Sequence, residues 1–196
     1  MDHTIILASS SPRRQELIRT LGLDPIILPS HVDESVDASM SPQEVVEELA
    51  LRKALSVTDE LADIRPGMVV IGSDTIVVLD GEILGKPSDS DDASRMLHRL
   101  QGRAHAVYSG IACVDVATRR HTVSHRRTTV HMQPLTEDQI SRYVETGEPS
   151  DKAGSYAIQG IGATFITGIE GDYFNVVGLP LNLLSELLSE FGIHVL

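Results

Sequence analysis

The chain has 196 residues, enough for one ordinary domain or one domain of two lobes, and its 41% hydrophobic content can build a core without disulfides or structural metal. Sixteen Lys and Arg against 28 Asp and Glu leave a formal charge of −12, aromatics are only 4%, and Trp is absent; that sign and that shortage disfavour a nucleic-acid partner. The single cysteine, Cys113, excludes an internal disulfide, no apolar run approaches the roughly 20 residues of a membrane span, and Met1-Asp2-His3-Thr4 has no basic, apolar leader, so the expected compartment is the cytoplasm.

In chain order, Thr4-Ile5-Ile6-Leu7-Ala8 predicts a short buried strand. Ser11 as N-cap and Pro12 at the first helical position predict a helix to Leu21, closed by Gly22. Ile26-Ile27-Leu28 predicts a second strand. Ser41-Pro42-Gln43-Glu44 is a capping box, and the helix it opens carries Val46, Leu49, Ala50, Ala54 and Val57 on one stripe. Met68 to Leu79 predicts a long strand, turned at Asp80-Gly81 into Glu82-Ile83-Leu84, and a helix follows over 91–100. Two extended segments, 105–116 and 122–132, meet near Thr118-Arg119-Arg120. A second capping box at Thr136-Glu137-Asp138-Gln139 opens a helix to about Thr146. Residues 163–169 and 173–177 predict a hairpin about Glu170-Gly171-Asp172, and a last helix covers 181–191. Strands, hairpins and helices interleave, so the expected fold is α/β with a mixed, incompletely parallel sheet and flanking helices in one domain over 1–196.

Four places break these patterns. Ser9-Ser10-Ser11-Pro12-Arg13-Arg14 puts three hydroxyls and two guanidiniums at a helix start, where unpaired N–H groups already favour an anion. They form a phosphate cradle, or else Ser11 only caps and the arginines are solvated. Asp74 interrupts an otherwise apolar strand, which costs several kcal/mol unless the carboxylate is paired or binds metal. A structural aspartate bonded to backbone, or a break between two strands, is the alternative; function is preferred. Lys53 lies on the apolar stripe of its helix, as a functional cation or a snorkelling stem. Asp33-Glu34 and Gly85-Lys86-Pro87 place charges just beyond strands, where ligand groups or plain solvated loops occur. Together these cations and carboxylates suit a metal-bound polyphosphate. No G-x-S-x-G elbow supports a serine nucleophile. His121, His125 and His131 share one parity on a strand but read as a solvated face rather than a zinc site, and Cys113 reads as a small core residue.

The run Ile6-Leu7-Ala8-Ser9-Ser10-Ser11-Pro12-Arg13-Arg14-Gln15-Glu16-Leu17 resembles the opening signature of the Maf family of nucleoside triphosphate pyrophosphatases. The resemblance continues through Val32-Asp33-Glu34, Lys53-Ala54, Gly72-Ser73-Asp74-Thr75, Gly85-Lys86-Pro87, Tyr156-Ala157-Ile158-Gln159-Gly160 and Val177-Gly178-Leu179-Pro180, spanning nearly the whole chain in order. Ser109 departs from the more usual threonine. The resemblance implies an elongated α/β fold with two lobes around a central cleft (Maf/ITPase-like), a homodimer, and hydrolysis of a nucleoside triphosphate to the monophosphate and pyrophosphate with Mg²⁺ or Mn²⁺. By motif match it implies Asp74 as general base, Glu34 as a second catalytic carboxylate, and both as metal ligands. Ser9, Ser11, Arg13, Lys53, Thr75, Lys86 and Gln159 match substrate-binding positions, among them Arg13, Thr75 and Gln159 for choice of base. Ser73-Asp74-Thr75 and Ile158-Gln159-Gly160 are similar to the dTTP/UTP branch; the branch acting on 7-methyl-GTP tends to carry Gln after the aspartate and Glu in place of Gln159. The amide of Gln159 can donate and accept, as the adjacent carbonyl and N–H of uracil or thymine require. The rival expectations are a 7-methyl-GTP or broad modified-nucleotide pyrophosphatase, and a non-catalytic nucleotide-sensing regulator of division.

Overall fold

The structure, a computed structural model, describes residues 3–196; Met1 and Asp2, the first half of the N-terminal run read above, lie outside the described residues. The first elements are β1 (Thr4–Leu7), α1 (Pro12–Thr20), β2 (Ile26–Ile27), α2 (Pro42–Glu60), β3 (Met68–Leu79) and β4 (Glu82–Leu84). They are followed by α3 (Ser90–Leu100), β5 (Ala104–Asp115), β6 (His121–Met132), α4 (Glu137–Glu145), β7 (Ile166–Glu170), α5 (Tyr173–Val177) and α6 (Leu181–Ser189). The strands form a mixed sheet in the order β2-β1-β3-β5-β6-β7, with β4 on β3. β1 runs parallel to β2 and β3, whereas β3–β4 and β6–β7 are antiparallel. The mixed sheet with flanking helices is the fold class that the interleaved pattern predicted.

Local chemistry explains the element limits. Ser41 and Glu44 close a reciprocal capping box, with the Glu44 carboxylate accepting the Ser41 N–H at 2.7 Å; Thr136 and Gln139 do the same for α4. The predicted stripe Val46, Leu49, Ala50, Ala54 and Val57 is wholly buried. No helix among the described residues is long and apolar enough to cross a membrane.

The chain divides into two compact units, and β3, β5 and β6 contribute residues to both. The first comprises Met1–Asp74, Ser109–Arg126 and Gly178–Leu196, with a core that includes Ile6, Ala50, Ala54, Val57, Val70, Ala112 and Val114. The second comprises Thr75–Tyr108 and Arg127–Val177, built on Val77, Leu97, Leu100, Val107, Val130, Ile140 and Tyr143.

One predicted element is corrected. Only Ile166–Glu170 of the expected hairpin is strand; Gly160–Phe165 is a 3₁₀ turn and Tyr173–Val177 is helical. The Asp172 carboxylate accepts the Phe174 N–H at 2.8 Å, starting a helical turn. The buried Asn175 amide then donates to the Val107 carbonyl at 3.0 Å and to Thr128 Oγ at 2.9 Å. These tertiary bonds override the strand preference of Tyr, Phe and Val.

Candidate active site

In the first unit, packing of α2 on the sheet brings a cation to Asp74. A Cβ on Gly72 of β3 would fall inside the contact distance of the Ala50 carbonyl oxygen, and a Cβ on Gly110 of β5 inside that of Val46. Bare glycine backbone therefore lets the helix lie directly on the strands. Lys53 follows Leu49 by one turn and reaches back to β3, two residues beyond Gly72. Its Nζ lies 2.6 Å from Asp74 Oδ1 and 2.7 Å from Glu34 Oε1. The lysine and Asp74 side chains are only 12% and 10% exposed, so this is no snorkelling stem; Glu34, at 57%, forms the wet side of the cluster. Among the described residues, Asp74 Oδ2 accepts no hydrogen bond, which leaves one oxygen for a ligand.

The Glu34 loop has its own support. Arg52, adjacent to Lys53 on α2, donates through one nitrogen to the carbonyls of Asp33 and Ser35, both at 2.8 Å, and bonds Glu48 at 3.0 Å. Asp33 accepts the Ser35 N–H at 3.0 Å and its hydroxyl at 2.5 Å; those bonds hold its carboxyl below the usual range and fix the turn carrying Glu34. Sequence reasoning missed Arg52, because its partners are carbonyls with no residue signature.

At the start of α1, Ser11 caps the helix, its Oγ 3.5 Å from the Arg14 N–H, and its own N–H donates to Ser9 Oγ at 3.2 Å. The two arginines part company here. Arg14 donates through Nε to the Gly178 carbonyl at 2.8 Å and through its guanidinium to the Ser73 carbonyl at 2.9 Å. Burial pulls its pKa down, opposed by the field of Asp74. Its guanidinium also donates to Ser9 Oγ at 3.5 Å, so Arg14 ties the α1 N-terminus to the main chain at Ser73 and Gly178. The Arg13 side chain makes no ion pair or hydrogen bond among the described residues, and the residue is half-buried.

The structure thus brings together Lys53, Asp74 and Glu34, and separately Ser9 with Ser11 at the α1 N-terminus. Thr75, Lys86 and Gln159 belong to the second unit. Thr75 is half-buried in β3, Lys86 is exposed after β4, and Gln159 is exposed and extended just before the Gly160–Phe165 turn. The Gly85 carbonyl beside Lys86 accepts the Gly154 N–H at 3.0 Å. His121, His125 and His131 go to separate partners, the Arg119 carbonyl, Glu47 and Glu170; His121 is exposed and the other two are half-buried. Cys113 is buried, and burial pushes its thiol pKa far up, which leaves it inert.

The fit to a divalent cation is testable on these contacts. Two hard carboxylate oxygens converge on one cationic point, already filled by the Lys53 ammonium. No group of three or more His, Cys, Asp or Glu among the described residues could hold a metal alone. Asp74 Oδ2 and the exposed Glu34 carboxylate are the hard oxygens that would hold Mg²⁺ or Mn²⁺, which take one or two carboxylates completed by substrate phosphates and water.

Residues 4–191 match the family model of Maf-like proteins. The chain belongs to the Maf family. It is 50% identical over 192 residues to a protein of Pelotomaculum thermopropionicum, with 98% of each chain covered. It is 52% identical over 191 residues to one of Moorella thermoacetica, covering 97% of this chain and 96% of the other. A protein of Acetivibrio thermocellus is 49% identical over 195 residues, with 98% of this chain and 97% of the other covered. All three carry the name dTTP/UTP pyrophosphatase.

Proposed function

We propose that this Maf chain hydrolyses dTTP and UTP to the monophosphate and pyrophosphate. The observation that carries the reading is the Lys53 ammonium shared by Asp74 and Glu34, in a chain about half identical over its length to proteins of that name. The chemistry is a displacement at the α-phosphorus: a water oxygen bonds to phosphorus, and the α–β bridging oxygen leaves with pyrophosphate. Asp74 accepts the proton of the attacking water at Oδ2, while Lys53 holds Oδ1 and so fixes the carboxylate plane. Ser9, Ser11 and Arg13 at the α1 N-terminus bind phosphate oxygens, where main-chain N–H groups and a guanidinium meet negative charge. Lys53 and Lys86 offset charge on the leaving pyrophosphate. Glu34 and Asp74 would hold Mg²⁺ or Mn²⁺, which when bound neutralises the phosphate tail and makes phosphorus more electrophilic. Thr75 and Gln159 select the base, the amide of Gln159 pairing with the carbonyl and N–H edge of uracil or thymine.

The homodimer implied by the resemblance and the cytoplasmic setting expected from the sequence belong to the same proposal, and sedimentation of the purified chain checks the first. The deciding experiment is a panel of canonical and modified triphosphates, with and without Mg²⁺, scored for monophosphate and pyrophosphate. UTP and dTTP are expected to lead. If 7-methyl-GTP led instead, the assignment of Thr75 and Gln159 would fail; tight binding with no pyrophosphate release would favour a nucleotide-sensing regulator.

A further inference from the structure

Gln159 stands in a stretch without regular strand or α-helix, so something else must hold it in place. In the second unit, Glu148 follows Gly147 and opens the 3₁₀ turn Glu148–Asp151. Its Oε1 accepts the Gly162 N–H at 2.9 Å and the Tyr143 hydroxyl at 2.8 Å, and its Oε2 accepts the Ile161 N–H at 3.1 Å. Partial burial pushes the Glu148 pKa up, but the bonds from Gly162, Tyr143 and Ile161 outweigh it and leave the group below the ordinary carboxylate range. At neutral pH it is therefore an ionised, charge-assisted acceptor. The Tyr143 oxygen in turn accepts the Ala157 N–H at 3.2 Å. One carboxylate and one phenol thus grip the main chain on both sides of Gln159, at Ala157 before it and at Ile161 and Gly162 after it.

The glycines of the stretch are shaped around this grip. Gly160 has φ +69, and a Cβ there would stand 2.6 Å from Glu148 Oε2. A Cβ on Gly162 would stand 2.6 Å from the Tyr143 hydroxyl and closer still to the Ala157 carbonyl. The Gln159 side chain itself is exposed and makes no hydrogen bond among the described residues.

We propose that Glu148, backed by Tyr143, is a positioning residue that sets where Gln159 presents its amide, and so sets discrimination between bases. This deepens the proposed function and rests on the Gln159 assignment made there. Paired hydrogen bonds to a base edge need their donor and acceptor held to about half an ångström, which an unanchored stretch rich in glycine does not provide.

Glu148→Gln tests it. The variant keeps the shape but puts an NH₂ group where one oxygen accepted, so at least one of the three donors faces a donor. The UTP-to-GTP ratio of kcat/KM is expected to fall about tenfold, mainly through KM for UTP, with faster hydrogen exchange at the Ile161 and Gly162 amides. Tyr143→Phe keeps the ring edge-on to Phe165 at 4.8 Å and gives a smaller change of the same sign; it carries the test should the first variant not fold. Gln159→Ala is the reference. If it lowers the ratio while Glu148→Gln and Tyr143→Phe leave it intact, the positioning role is overturned and the function stands. A ratio indifferent to Gln159→Ala overturns the Gln159 assignment and this inference with it. A lowered ratio in Glu148→Gln without faster exchange overturns the inference too, since the effect would not pass through the main chain.

Discussion

Each compact unit holds one polar cluster at a site position, and the two clusters are built differently. In the first, Lys53, Asp74 and Glu34 face one another, side chain to side chain, and Asp74 keeps an oxygen available to a ligand. In the second, Glu148 faces main-chain N–H groups, and the buried His105 meets Tyr156 OH at 2.6 Å. An ammonium shared by two carboxylates is a poor stabiliser once desolvation is counted, so its burial at a sheet strand signals chemistry. A carboxylate that binds backbone amides holds a segment in place. On the proposed reading, the buried charge cluster at Lys53 is where reaction occurs, and the carboxylate bound to backbone at Glu148 is a positioning device.

The sharpest break of that contrast is Asp74→Asn. Removing the proposed proton acceptor while keeping the shape is expected to lower kcat for pyrophosphate release about a thousandfold. Lys53 retains Glu34 as partner, so the urea midpoint and nucleotide binding should stay close to the parent. The corresponding loss at Glu148→Gln is far smaller and falls on base discrimination. Turnover within tenfold of the parent in Asp74→Asn would remove the distinction between the units.

Next in size is a pair of glycine substitutions, read by urea denaturation. Gly72→Ala in the first unit sets a methyl against the Ala50 carbonyl and the Ala54 nitrogen, both rigid helix backbone. Its expected cost is about 3 kcal/mol or more, with activity falling too because α2 carries Lys53. Gly154→Ala in the second unit meets the methyls of Val77 at 3.0–3.1 Å and a φ of +70, for an expected cost of about 2 kcal/mol. Equal costs would mean that α2 can lift from the sheet as easily as a valine can turn.

Much of this was legible in residue order, and the reason is local. β3 matches its predicted limits because β-branched Val, Ile and Thr dominate the run and Asp80-Gly81 turns it, and both capping boxes are complete within four residues. Asp74 and Lys53 stood out as charges on apolar ground, and the structure puts them together. Arg14, Arg52 and Glu148 were not legible in their present roles. Each binds main-chain atoms, and main chain has no letter in a sequence; the Arg14–Gly178 bond spans 164 positions. The helix at Tyr173–Val177 was misread for the same reason, since Asn175 is held by a carbonyl and a hydroxyl from β5 and β6.

The second unit also predicts a pH effect. Burial, and then the field of His131, pushes His105 down to about 4 from 6.5, so the folded chain holds it neutral. Between those values the unfolded chain binds a proton that the folded chain refuses. The contribution is therefore fully present above pH 6.5 and is lost as pH falls toward 4, about 2 kcal/mol of it by pH 5. Urea midpoints at pH 7.5 and pH 5 measure the loss, and His105→Gln, which keeps an acceptor for Tyr156, should flatten the slope. A slope unchanged in that variant would assign the acid sensitivity to the carboxylates instead.

The smallest effect separates the two accounts of Ser11. Its capping bond to the Arg14 N–H is long, at 3.5 Å, and no reciprocal acidic partner completes a box as Glu44 does for Ser41. As a cap alone, Ser11→Ala should cost less than about 1 kcal/mol and leave KM unchanged, whereas Ser41→Ala should cost somewhat more, also without a change in KM. As part of a phosphate cradle as well, Ser11→Ala should raise KM for the triphosphate several-fold on top of that small stability cost. The second outcome is the expected one. The hydroxyl sits at a helix N-terminus beside Arg13, a cation that opposes the helix dipole unless an anion answers it. A rise in KM confined to Ser11→Ala would show that hydroxyl to be kept for a ligand, whereas the one at Ser41 serves the helix.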